Sequence, residues 1–178
     1  MTQHLFSWIA VRGVAPSRVR EVLALAETGR MSVRPRAEYN GAELAGGWYL
    51  IFSPRFDYAD HTPLAELSQG GELVTCCVNE ALMYSSVSGW RDGARQWYFV
   101  HDGDIGIQHM HLDGDAPPEF HEVANRRNVA SAEGAGIGIT VDHVFEIPAQ
   151  TAQRLTGFHH EDVPPEGEQP FEELARVS

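Results

Sequence analysis

Apolar residues along this chain gather in short runs separated by turn residues, and only a few segments repeat at the 3.6-residue period of a helix. Phe6 to Val11 (FSWIAV) and Trp48 to Phe52 (WYLIF) are unbroken apolar runs of strand length, which predicts buried strands. Between them, Pro16 opens a helix at the position where its missing N–H costs nothing. Val19, Val22, Leu23 and Ala26 recur at helical spacing, and Gly29 is placed to stop that helix. The three segments have the order of a right-handed β-α-β unit. Arg30 to Gly46 lacks periodicity, carries Pro35, Asn40-Gly41 and Gly46-Gly47, and reads as a long connection. Thr62 caps a short helix with Pro63 at its first position, Leu64 and Leu67 inward, and Gly70-Gly71 at its end. Leu73 to Val78 is the next predicted strand.

The densest pattern runs from Ala81 to Val100, where two strand-like stretches flank Asp92-Gly93. Asp-Gly is a strong signal for a two-residue type I′ turn, and such a turn fixes the strand register. Counting from it, Trp90 faces Arg95, Ser88 faces Trp97, Ser86 faces Phe99 and Tyr84 faces His101. One face of this hairpin then carries Tyr84, Trp90, Trp97 and Phe99. The other carries Met83, Ser85 and Val87 against Tyr98 and Val100. Beyond the hairpin, Ile105 to Leu112 alternates and predicts a further strand. Pro117 to Ala132 predicts a helix with Phe120 and Val123 on one stripe. Ala132 to Gly138 reads as a glycine-rich loop and Val141 to Ile147 as a last strand. Pro148 starts a final helix that buries Ala152 and Leu155 and stops at Gly157. The order β-α-β-α-β-β-β-β-α-β-α implies an α+β fold. Its expected form is a mainly antiparallel sheet with an aromatic-rich hairpin meander and three to four helices packed on it. Residues 1–162 are expected to form one globular domain. Residues 163–178 read as a loosely ordered acidic tail rich in Pro and Glu, with one helical turn at Phe171 to Ala175.

Charge narrows the class of partner. The 178 residues include 25 acidic and 13 basic side chains, a formal net charge of −12, and every basic residue is arginine. Such a surface repels phosphate backbones, so nucleic acid is an unfavoured partner. No run approaches the ~20 apolar residues of a membrane span, and the apolar stretch Leu5 to Val11 is too short for a secretory signal. The expectation is a cytoplasmic protein with no membrane partner. Cys76 and Cys77 are adjacent in a strand-like run and point to opposite faces, so two reduced thiols are expected.

Several residue groups carry possible chemistry. His109-Met110-His111 would project two imidazoles from one strand face, an arrangement suited to zinc or iron. Asp113 follows on the same face, and His101 and His121 are near enough in sequence to complete a shell. The pattern faintly resembles the His-x-His strand of cupins, without the glutamate that follows it there or the second cupin motif. His159-His160, with Glu161 and Asp162, offers either a metal ligand or histidines suited to the negative end of the last helix. His101-Asp102-Gly103-Asp104 and Leu112-Asp113-Gly114-Asp115 read as turns, not as calcium loops. Gly134, Gly136 and Gly138 neither follow a strand nor open a helix, as a dinucleotide fingerprint requires. Ser85, Ser86 and Ser88 sit on no nucleophile elbow, and mid-strand cysteines are ordinarily small core residues.

The phrases SWIAVRG (Ser7 to Gly13), GGWYL (Gly46 to Leu50), VTC (Val74 to Cys76), SGWRDG with WYFVHD, and VDHVFEIP leading into LTGFHHED span most of residues 7 to 162. In these the chain resembles an uncharacterised group of small soluble bacterial proteins with no assigned activity. The resemblance implies a single soluble domain and assigns no site residue.

Three readings of function follow. The first is a non-enzymatic acidic module that binds a basic protein, as an immunity-type partner does, with Tyr84, Trp90, Trp97, Phe99 and Arg95 as its binding face. The second is a hydrolytic or oxidative metal enzyme built on His109 and His111 with His101, Asp113 or His121. The third is a small-molecule binder using a pocket between the aromatic face and the Arg30 to Gly46 segment.

Overall fold

A computed structural model of the chain describes residues 4–135 and 144–177. Among the described residues, nine strands form one antiparallel sheet: β1 (Leu5–Arg12), β2 (Leu25–Ser32), β3 (Tyr39–Glu43), β4 (Trp48–Ser53), β5 (Glu72–Asn79), β6 (Tyr84–Arg91), β7 (Ala94–Asp102), β8 (His111–Gly114) and β9 (Phe171–Arg176). Their order across the sheet is β2-β9-β3-β4-β1-β5-β6-β7-β8. The helices among the described residues are α1 (Pro16–Val22), the single turn α2 (Leu64–Leu67), α3 (Pro118–Ala135) and α4 (Glu146–Thr156). The α+β, mainly antiparallel expectation therefore holds, in the form of one wide sheet in which β5, β6, β7 and β8 are consecutive antiparallel neighbours. Among the described residues, no helix is long and apolar enough to cross a membrane.

Both faces of the sheet are covered, which explains why β1, β4 and β5 read as unbroken apolar runs. Phe6, Trp8, Leu50, Phe52, Cys76, Val87 and Phe99 point to one face, beneath Ala152 of α4 and Phe120 of α3. Ile9, Val11, Tyr49, Ile51, Leu73 and Cys77 point to the other, against Val19 of α1 and Leu67 of α2. Adjacent residues thus serve two separate cores, as the period of two in a strand dictates.

Several expectations are corrected. The β-α-β unit does not form, because β1 and β4 pair antiparallel, Ile9 opposite Ile51. Helix α1 ends at Val22, and Ala24 turns the chain at φ 52° into β2. Gly29 is not a helix stop; it lies in β2 where the pairing with β9 slips. The long connection from Arg30 to Gly46 holds the end of β2 and all of β3. The predicted strand at Ile105 to Leu112 is mostly a turn, and only His111 and Leu112 enter β8. Phe145 caps α4 and Ile147 lies within it, so the predicted strand ending at Ile147 becomes helix; its residues 141–143 lie outside the described residues, as do 136–138 of the glycine-rich loop. Gly157 stops α4 as expected, at φ 77°. The tail is no appendage: Phe171 to Arg176 is a strand between β2 and β3, and Phe171 and Leu174 are buried.

Candidate functional site

The hairpin of β6 and β7 turns where expected, with Asp92 at φ 48° and Gly93 at φ 82°, both of the sign a type I′ turn needs. Trp90 faces Arg95 as counted. Gln96 then forms a one-residue bulge, so Trp97 faces Gly89, Phe99 faces Val87 and His101 faces Ser85. A slip of one residue moves every later side chain to the other face. The expected aromatic binding face is therefore divided. Trp97 and Phe99 are buried under the helices, with the Phe120 ring tilted against Phe99 at 4.5 Å. Tyr84 and Trp90 are half-buried on the opposite side, with Phe56 6.2 Å from Tyr84. Arg95 lies 5.3 Å over Tyr98 and pairs with Asp113 at 2.8 Å. Gly89 permits the bulged register, since a Cβ there would fall inside the Trp97 indole. The segment from Arg30 to Gly46 holds the end of β2 and all of β3, and β4, β1 and β5 lie between β3 and β6. Trp90 and Trp97 instead line a shallow cleft of about 350 Å³ with Trp48, Arg12 and Glu72. In it, Glu72 accepts hydrogen bonds from Arg12 and Arg91, and the first of these chiefly holds its carboxyl below the usual range.

The expected histidine set does not assemble as one shell. His101 is fully buried on β7, its Nδ1 2.8 Å from the His109 carbonyl oxygen. His109 sits in the turn before β8 and accepts the Asp102 N–H on Nδ1 at 3.1 Å. His111 opens β8 and is exposed, and His121 is exposed on α3 beside Phe120. Because His109 is in a turn and only His111 in a strand, the shared face that the spacing implied is lost. The two cysteines are buried free thiols, raised by burial and, for Cys77, also by Asp60. Neither is a thiolate near neutral pH, so neither is equipped as a nucleophile.

What the β7–β8 end does bring together is acid and exposed aliphatic surface. Between Gln96 and Asn125 the chain has six acidic residues, Asp102, Asp104, Asp113, Asp115, Glu119 and Glu122, and no arginine. Ile105, Ile107 and Leu112 are 67%, 56% and 40% exposed among them. β8 is last in the sheet, so among the described residues no strand lies beside its outer backbone edge. The sequence held the signal, but reading Ile105 to Leu112 as a half-buried strand hid it: Ile105 and Ile107 are in the turn and point to solvent.

A second assembly links the two ends of the chain. The His4 Nε2 is 3.2 Å from Glu161 Oε1, and the rings of His4 and His160 meet edge to face at 4.6 Å. His160 also packs on Phe6, and burial first, then His159 and His4, push it down to about 3. Beside these residues lies a cleft of about 470 Å³ lined by Glu80, Glu146, Gln150 and His159. The sequence signal was the His159-His160-Glu161 run; nothing in it pointed to His4. No family model matches the chain, and neither a curated protein nor a solved structure is significantly similar to it.

Proposed function

We propose that this protein is a non-enzymatic recognition module for a basic protein, docking through the β7–β8 turn and the open edge of β8. One observation carries the reading: Ile105, Ile107 and Leu112 are exposed within a stretch that holds six acids and no arginine. Exposed aliphatic groups supply area that gains by leaving water, and the surrounding carboxylates select a cationic surface. The edge of β8 adds a row of backbone donors and acceptors that an extended segment can pair with. Its shortness and charge keep copies of this chain from pairing edge to edge. Because Trp97 and Phe99 are buried, the same function is assigned here to a different part of the hairpin's neighbourhood. The alternative metal enzyme on His109 and His111 gains no support from their separate settings.

Crosslinking in cells of the source organism, read by mass spectrometry, identifies the protein that contacts residues 104–115. The expected partner is basic. Its affinity for the purified chain falls at least ~tenfold in the Asp104→Arg/Asp115→Arg variant, about 1.4 kcal/mol. A partner that is neutral or acidic, or one bound equally well by that variant, overturns the proposal.

A further inference from the structure

We propose that His4, His160 and Glu161 form a binding site for a divalent transition metal, with zinc the best-matched ion. A ring nitrogen of each histidine and a carboxylate oxygen of Glu161 lie within 4.8 Å of one another. Zinc bonds to nitrogen and carboxylate oxygen at about 2.0–2.2 Å, so tetrahedral ligands sit roughly 3.4 Å apart. The His4–Glu161 pair, at 3.2 Å, already has that spacing. The rest of the closure, from at most 4.8 Å, needs movement of up to about 1.4 Å, and Glu161, 59% exposed, is able to swing inward. Two imidazoles and one carboxylate are also the donor set of zinc sites that keep a fourth position for water or ligand.

Two further observations point the same way. The Nε2 of His160 is buried and meets no hydrogen-bond partner among the described residues. A buried ring nitrogen of this kind ordinarily finds a partner, so the imidazole retains a donor atom that the fold does not use. His4 is held by the backbone of its neighbour: its N–H donates to a Glu80 carboxylate oxygen at 2.9 Å, and the Glu80 N–H donates to the His4 carbonyl at 3.0 Å. The other Glu80 oxygen stands 3.9 Å from His4 Nε2. That carboxylate faces the same nitrogen that approaches Glu161, so it adds negative charge favouring a cation at this position. A bound ion would tie the start of β1 to the turn after α4, closing the loop that leads to β9.

The test is zinc titration of the untagged, EDTA-stripped full chain by calorimetry, with cobalt as a coloured probe of four-coordinate geometry. Three variants accompany the wild type: Glu161→Gln, His160→Ala and His109→Ala/His111→Ala. One equivalent of zinc is expected in the wild type and in the His109→Ala/His111→Ala protein. Glu161→Gln, which changes an exposed side chain and leaves the packing intact, is expected to weaken binding at least ~tenfold, the smallest loss typical of outer-shell changes. Zinc bound equally by Glu161→Gln, absent from the wild type, or lost only in the His109→Ala/His111→Ala protein overturns the proposal. His160→Ala also removes a contact with Phe6, so its result counts only where its circular dichroism matches the wild type.

Discussion

Replacing Gly89 by alanine tests the register of the central hairpin with a single methyl group. In the bulged register Gly89 faces Trp97, and the added Cβ would collide with the indole ring atoms. Trp97 is 9% exposed and stacks on Phe99 at 5.4 Å, so it has little room to withdraw. Overpacking a filled core costs about 1–3 kcal/mol. For a chain of this size that lowers Tm by roughly 2–12 °C, at ~2–4 °C per kcal/mol. In the register without the bulge, Gly89 would face Gln96 instead. Alanine there would remove chain entropy from the unfolded state and stabilise by about 0.5–1 kcal/mol. The two registers therefore predict opposite signs. Urea denaturation of wild type and Gly89→Ala gives the difference directly, provided m is unchanged. In a Trp97→Leu background the penalty should shrink by about 1 kcal/mol or more, the coupling expected of side chains in contact. A Gly89→Ala protein as stable as the wild type, or more so, would refute the bulged register and return Trp97 to the face of Trp90.

Other consequences are smaller in scope. Phe171→Ala should cost about 3–5 kcal/mol, because Phe171 is a buried member of the core and not part of a loose tail; a change below ~0.5 kcal/mol in urea unfolding would detach β9. Gly41→Ala should also destabilise, since a Cβ there would stand 2.5 Å from the Tyr49 hydroxyl and 2.6 Å from the Glu172 carboxylate that it bonds; normal stability would contradict that packing. The Glu72 carboxyl should titrate below 4.5 by carbon NMR, and Arg91→Ala should move it upward. The sign follows: its contribution to stability is present above the unfolded value and is lost as pH falls through the lowered one. Cys76 and Cys77 should resist thiol reagents in the native protein and react only on unfolding.

The parts of the fold that were legible share one property: their signal is local. The apolar runs of β1, β4 and β5, the Asp92-Gly93 turn and the Gly157 stop each declare themselves within a few residues. β2 and β9 did not, because they are edge-ward strands with polar sequences, Leu-Ala-Glu-Thr-Gly-Arg-Met-Ser and Phe-Glu-Glu-Leu-Ala-Arg. Among β2 residues only Leu25 is buried, so a strand and a helix end look alike by periodicity. The Gln96 bulge left no residue-type signal on β7; its trace was the glycine opposite, Gly89. β2 and β3 follow one another in the chain yet do not pair, because β9, from the far end of the chain, lies between them. For the same reason His159-His160-Glu161 was visible as a cluster while His4, its partner in space, was not. The acids and aliphatics around β8 were all visible, but their exposure followed from a turn that had been read as strand.

Docking at the β8 edge is read out by hydrogen exchange on this chain with and without the crosslinked partner. Slowed exchange is expected at the backbone amides of His111 to Gly114 and of the Ile105–Ile107 turn, with β2 at the opposite edge unchanged. Protection confined to β2, or to any surface that leaves β8 exchanging as in the unbound protein, would contradict it.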